Sequence, residues 1–242
     1  MRLVLVHARF GTLELLRYPS FSAPTLALPA IFFLFFALPR AGGRAEVLLA
    51  SFAAYAVLSV AFFQFGVGIA ADRARPWETY VRTLPVGAGA RMAARALSAI
   101  VFAAASVAVV VAVAVPTTSP SLDLAAWGRL GIVLAAGSLP FTLLGIALGY
   151  WLPAKGALPV ANILYLTLSY AGGLWTGPTG LPHAVERVAG VLPTRQWGDV
   201  LWPAVLGRGW PIGHCLALAG YAVVFGALGV WGYRRDEGRR FR

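Results

Sequence analysis

Six windows free of charged side chains divide this chain, and each is long enough to cross a lipid bilayer as a helix. They run from Tyr18 to Pro39 (22 residues), Val47 to Ala71 (25), Ala96 to Leu122 (27), Leu130 to Ala154 (25), Gly156 to Val185 (30) and Gly209 to Tyr233 (25). About 20 apolar residues suffice to cross the hydrocarbon core. The buried core helix of a soluble protein can imitate one such window. Six in succession need a harsher rule, and a bilayer supplies it, because a charge at its centre costs about 3 kcal/mol. Only 12% of the 242 residues are charged and 59% are hydrophobic, where soluble domains carry about a quarter charged. The predicted fold is all-α and membrane-integral, with six transmembrane spans at about 20–39, 47–71, 93–115, 127–152, 157–175 and 212–233.

Orientation follows from the basic residues, which collect in cytoplasmic loops. With six spans, one side holds 14 of the 20 and the other holds six, namely Arg40, Arg44, Arg129, Arg187, Arg195 and Arg208. Both termini are therefore expected in the cytoplasm, in a multi-pass protein of the plasma (inner) membrane. The net charge of +11 sits at span ends and forms no basic stripe, so nucleic acid is not an expected partner. Cys215, the one cysteine, lies inside the last window, which rules out a disulfide within the chain. The opening segment "MRLVLVHARFGTLELLRYP" is basic, but the window behind it is too long for the apolar core of a signal peptide. It is expected to be retained.

One dense charged patch lies between the second and third spans: "ADRARPWETYVRTLP", residues 71–85. Pro76 suits a first helical position, and Trp77, Tyr80, Val81 and Leu84 then share one face, with Glu78 and Arg82 paired at i, i+4 on another. Pro85 would end the helix. From physics alone, an ordinary cytoplasmic loop with arginines and an aromatic at the headgroups fits equally well.

In sequence, "GVGIAADRARPWETYVRTLPVGAGARMAARAL" resembles the segment of ABC-2 type transporter permeases that joins the second span to the third. Two further segments agree with that family. "LVHARFGTLELLRYPSF" resembles its basic, amphipathic connecting helix, which lies along the inner leaflet before the first span. "AGGLWTGPTGLPHAVERVAGVLPTRQWGDVL" resembles its Gly- and Pro-interrupted segment after the fifth span, with paired Leu-Pro steps at Leu181-Pro182 and Leu192-Pro193. The charged "TRQWGD" after the second step departs from many relatives. The resemblance covers nearly the whole chain and implies a single ABC-2 type transmembrane domain over 1–242. It also implies that the helix after Pro76 docks on a cytoplasmic ABC ATPase subunit, with Arg73, Arg75, Pro76, Trp77, Glu78, Tyr80 and Arg82 as the ATPase-coupling residues.

The chain holds no phosphate-binding loop of its own: Lys155, in "LPAKGALP", is the single lysine and does not follow the GxxxxGK pattern. It is therefore expected to bind no cofactor, with ATP used by the partner subunit. All nine acidic residues fall outside the six windows, which leaves no mid-membrane proton relay or acid catalyst. His7, His183 and His214 are far apart, without a metal-ligand spacing, so neither a catalytic nor a metal site is expected. Candidates for a substrate path are the intramembrane polar residues Asn162, Tyr165 and Ser169 on span five, with Tyr55 and Gln64 on span two; hydrogen-bond glue between helices is the blander role for the same residues. Gly145 and Gly149 form a GxxxG, expected to pack helices, and Pro140 and Pro159 are expected to kink spans four and five. Residues 176–211 are expected to form short re-entrant helices on the outer side, Pro182 to Leu192 and Arg195 to Leu206, with Thr194 capping the second.

These expectations converge on the permease subunit of an ATP-binding cassette exporter, working with a second permease subunit as a homodimer or heterodimer, in contact with membrane lipid. Two other classes stay open. An ATP-independent secondary transporter or channel needs no ATPase, and a membrane scaffold or assembly protein needs no pathway.

Overall fold

The computed structural model describes residues 2–17, 19–75 and 88–240, all helices and connections with no strand among them. An amphipathic helix, α1 (Arg2–Leu16), precedes α2 (Pro19–Phe32), which runs on through a π-helical turn (Phe33–Ala37) and a 3-10 turn (Leu38–Arg40). Helix α3 (Ala45–Val60) continues through a longer π-helical turn (Ala61–Val67) into α4 (Gly68–Arg73). Then come α5 (Ala88–Thr118), α6 (Leu124–Gly137) and α7 (Leu139–Trp151), the last two separated at Ser138 just before Pro140, where the missing N–H breaks the helical ladder. Helix α8 (Ala154–Ala171) continues through Pro159. Short α9 (His183–Ala189), α10 (Pro193–Val205) and long α11 (Ile212–Arg240) complete the chain.

Among the described residues, five helices are long and apolar enough to cross a membrane: Ser22–Arg40, Ala45–Arg73, Met92–Thr118, Leu124–Trp151 and Ile212–Glu237. Helix α8 is not among them, since its 18 residues include Lys155 and Asn162. The second span is the hub, 83% of its most apolar window being buried, against 17% for the last. Ile100, Ile132, Ile163 and Ile212 on four helices are each more than 60% exposed. A surface of that kind is soluble only in lipid, so the chain is a multi-pass membrane protein.

Close packing follows from small residues. A Cβ on Gly145 would sit 2.3 Å from the Ala61 carbonyl oxygen, and one on Gly149 would sit 2.7 Å from Ile69 Cβ. This GxxxG therefore lets α7 lie directly on the second span, where a larger residue would hold the backbones apart. Just past the end of α8, Gly173 takes φ +82°, with Leu174 N–H bonded to the Ser169 carbonyl and Gly173 N–H to that of Tyr170. This left-handed stop turns the chain sharply. Helix α10 begins at Pro193 instead of Arg195, so Thr194 lies inside it and does not cap it; its hydroxyl bonds the Leu168 carbonyl at 2.6 Å and so fastens α10 to α8. Trp197, fully buried, donates to the Val133 carbonyl at 3.0 Å, and Arg129 donates to that of Ala204 at 2.7 Å, fixing α10 on α6.

Candidate functional site

Charged side chains gather where the second span leaves the bundle. Arg73 turns inward: it donates to the carbonyls of Gly149 (2.8 Å) and Leu152 (3.3 Å), lies over the Tyr150 ring at 5.6 Å and pairs with Asp236 near the end of α11. A cation on the last carbonyls of α7 complements the negative end of that helix dipole. Arg95, at the start of α5, donates to the Gln64 carbonyl at 2.8 Å and pairs with Asp72. Gly68 makes room for this guanidinium, because a Cβ there would lie 2.8 Å from Arg95 Nη1. Arg75 is mostly exposed, reaching Glu14 of α1 at 3.8 Å and Asp72 at 3.5 Å. One ionic junction thus ties α1, α4, α5, α7 and α11 together.

Of the residues expected to couple to an ATPase, Arg73 is committed to contacts inside the chain and Arg75 faces outward. Pro76, Trp77, Glu78, Tyr80 and Arg82, with the whole helix expected from Pro76 to Leu84, lie outside the described residues. Ion pairing brackets that segment, with Asp72 on one flank bound to Arg95 on the other.

The intramembrane polar candidates meet in part. Tyr55 and Tyr165 stack with ring centroids 4.6 Å apart and planes 12° from parallel, and the Tyr165 hydroxyl donates to the Tyr55 carbonyl at 3.3 Å. Ser169 donates back to the Tyr165 carbonyl at 2.5 Å, and all three are buried. The two tyrosines hold α8 to the second span. Gln64 is buried on the π-helical turn with Oε1 unpartnered, and Asn162 is half-buried on α8. Around the tyrosine pair, Phe32 stacks on Tyr55 at 5.7 Å, and Trp175 packs edge-on against Phe32 and Tyr55. The aromatic wall continues to half-exposed Phe36 and Tyr170.

Sequence reasoning missed Arg95, Asp236, Phe32 and Trp175. For the first two the signal is a charge within one or two turns of a span end, which in lipid has to find a partner. For the aromatics there is none, because their spacing matches ordinary core.

No family model matches the chain, and no solved structure matches it. It is similar to a Bacillus subtilis (strain 168) protein named "Putative transport permease YvfS", with 23% identity over 230 residues that cover 93% of this chain and 94% of that protein. A match across nearly the full length of both chains supports a transport permease as the general kind of protein this is.

Proposed function

We propose that this chain is the membrane subunit of an ABC-2 type exporter, crossing the membrane six times, pairing with a second permease subunit and driven by a separate cytoplasmic ABC ATPase. The observation that carries the reading is the Asp72–Arg95 pair, which closes the two flanks of residues 76–87 onto each other beside both chain ends. That segment resembles the coupling helix of the family. A docking helix transmits force only if its flanks are anchored to the spans it has to move, and these flanks are anchored to α5, α7 and α11.

Parity supports the sixth crossing. Glu14 near the N-terminus and Asp236 near the C-terminus pair with Arg75 and Arg73, at or just past the end of α4, which agrees with termini on one face. An even number of crossings fits that arrangement, with the 18-residue α8 as the sixth. Its polar side chains suit a helix packed among others more than one bathed in lipid. The 14 to six imbalance of basic residues assigns the shared face to the cytoplasm.

The test is detergent pull-down of a co-expressed cytoplasmic ABC ATPase subunit, comparing wild type with the Trp77→Ala, Tyr80→Ala double variant at matched membrane expression. Buried aromatics at an interface are worth about 2 kcal/mol each, so capture is expected to fall at least about tenfold. Normal capture and normal stimulation of ATP hydrolysis by the double variant would overturn the coupling assignment.

A further inference from the structure

Before it reaches the ionic junction, the second span widens into the π-helical turn Ala61–Val67. Such a turn holds one residue more than the α-helix it interrupts, and its hydrogen bonds run five residues back instead of four. The end of the turn shows the consequence. Gly68 N–H reaches the carbonyls of Phe63 and Phe65 and so passes over that of Gln64, its partner four residues back in an α-helix. Arg95 takes the acceptor left over, donating from Nη1 to the Gln64 carbonyl at 2.8 Å. A buried carbonyl without a donor is costly in a membrane interior, so this bond favours the widened turn.

Gly68 makes the arrangement exclusive. Its missing side chain is the hollow in which the guanidinium lies, since a Cβ there would stand 2.8 Å from Arg95 Nη1. If the turn closed into a regular α-helix, every later residue would advance by one place, a rotation of about 100° and a rise of about 1.5 Å. Val67 would then take the place of Gly68 and fill the hollow. Arg95 on the carbonyl and an α-helical second span therefore exclude each other. The widened turn is also incompletely satisfied, because Gln64 is 4% exposed and its Oε1 has no partner. What opposes closure is Arg95 together with Arg73, which the same advance would lift from the carbonyls of Gly149 and Leu152.

We propose that Arg95 is the latch of a register switch: seated on the Gln64 carbonyl it holds the second span in its π-helical register, and withdrawn it lets α4 advance by one place. Arg95 stands on α5, after residues 76–87, and pairs with Asp72 before them, so a pull on that segment acts on the latch directly. That an ATPase exerts the pull rests on the reading given above; the latch does not. The test therefore leaves the ATPase out, and its failure is distinct from a loss of ATPase capture.

Ala70 reports the register, being 2% exposed and due to move into the half-buried place of Ala71. Full-length protein carrying Cys215→Ala and Ala70→Cys is alkylated with N-ethylmaleimide in detergent, and the rate is followed by mass spectrometry. Arg95→Gln is expected to raise that rate at least about tenfold, the effect of losing one charge-assisted hydrogen bond. Gly68→Ala is expected to raise it as well with Arg95 still present, because its methyl group displaces the guanidinium. Asp72→Asn should leave the rate low, since it breaks the ion pair and spares the bond to Gln64. Deletion of Gln64 removes the extra residue and fixes the register by sequence, so Arg95→Gln in that background should alkylate no faster than the deletion alone. An unchanged rate in both Arg95→Gln and Gly68→Ala overturns the latch. A rate raised equally by Asp72→Asn, or by Arg95→Gln on top of the deletion, would show general loosening of the junction and overturn it too.

Discussion

Single residues decide how closely these spans approach. Gly145 and Gly149 stand where a methyl group would enter the Ala61 carbonyl oxygen or come within 3 Å of Ile69. Gly220 on α11 has nothing within 4 Å of its added Cβ. Overpacking a tight interface costs about 1–3 kcal/mol, so Gly145→Ala and Gly149→Ala are each expected to lower the melting temperature in detergent, whereas Gly220→Ala should leave it unchanged. Differential scanning fluorimetry of the purified chain checks this. Unchanged melting of Gly145→Ala would mean that α7 and the second span lie farther apart than described.

Between elements, the Arg73–Asp236 pair is the long-range fastener, joining positions 163 residues apart. Asp236 is 8% exposed and Arg73 20%. Removing one partner of such a pair costs about 3–5 kcal/mol, because the other charge is left stranded. Asp236→Ala is therefore expected to free the end of α11, read as faster proteolysis after Arg234 or Arg235. Arg73→Ala should cost more, since the carbonyls of Gly149 and Leu152 lose their donor as well. For the same reason the charge swap Arg73→Asp, Asp236→Arg should rescue stability only in part. Full rescue would mean that the helix-end contacts contribute nothing. Five of the six expected spans were legible in the sequence because lipid excludes charge over a whole window, a signal that sums over some 25 residues. The GxxxG contact was legible for a similar reason, since its spacing has one strong use in a membrane. Asp72 with Arg95 and Arg73 with Asp236 were not, because partner choice among several arginines depends on where distant span ends meet. Thr194 was misassigned as a cap because the true start, Pro193, needs no donor, and the hydroxyl found a stronger use on the Leu168 carbonyl. The π-helical turn at Ala61–Val67 had no sequence signal; it appears where the second span meets α7 and α8.

At the scale of the molecule, the open quantity is the number of crossings, and α8 decides it. If α8 crosses, Lys155 and Glu186 lie on opposite sides of the membrane; if it does not, they share a side and the two termini part. On the proposed six crossings the termini share a side, which agrees with Glu14 of α1 and Asp236 of α11 both pairing with arginines at or just past the end of α4. In a Cys215→Ala background, a cysteine replacing Lys155 should therefore react with a membrane-impermeant maleimide only after the cells are opened, and one replacing Glu186 should react in intact cells. A reporter fused after Arg242 should read cytoplasmic, and one inserted near Ser119 external. Both follow from the 14 to six division of basic residues that the proposed six crossings give. Labelling of both cysteines from the same side, together with an external C-terminus, would reduce the chain to five crossings. The Arg73–Asp236 contact would then be impossible in the membrane, since no charge pair can join the two faces of a bilayer about 30 Å thick.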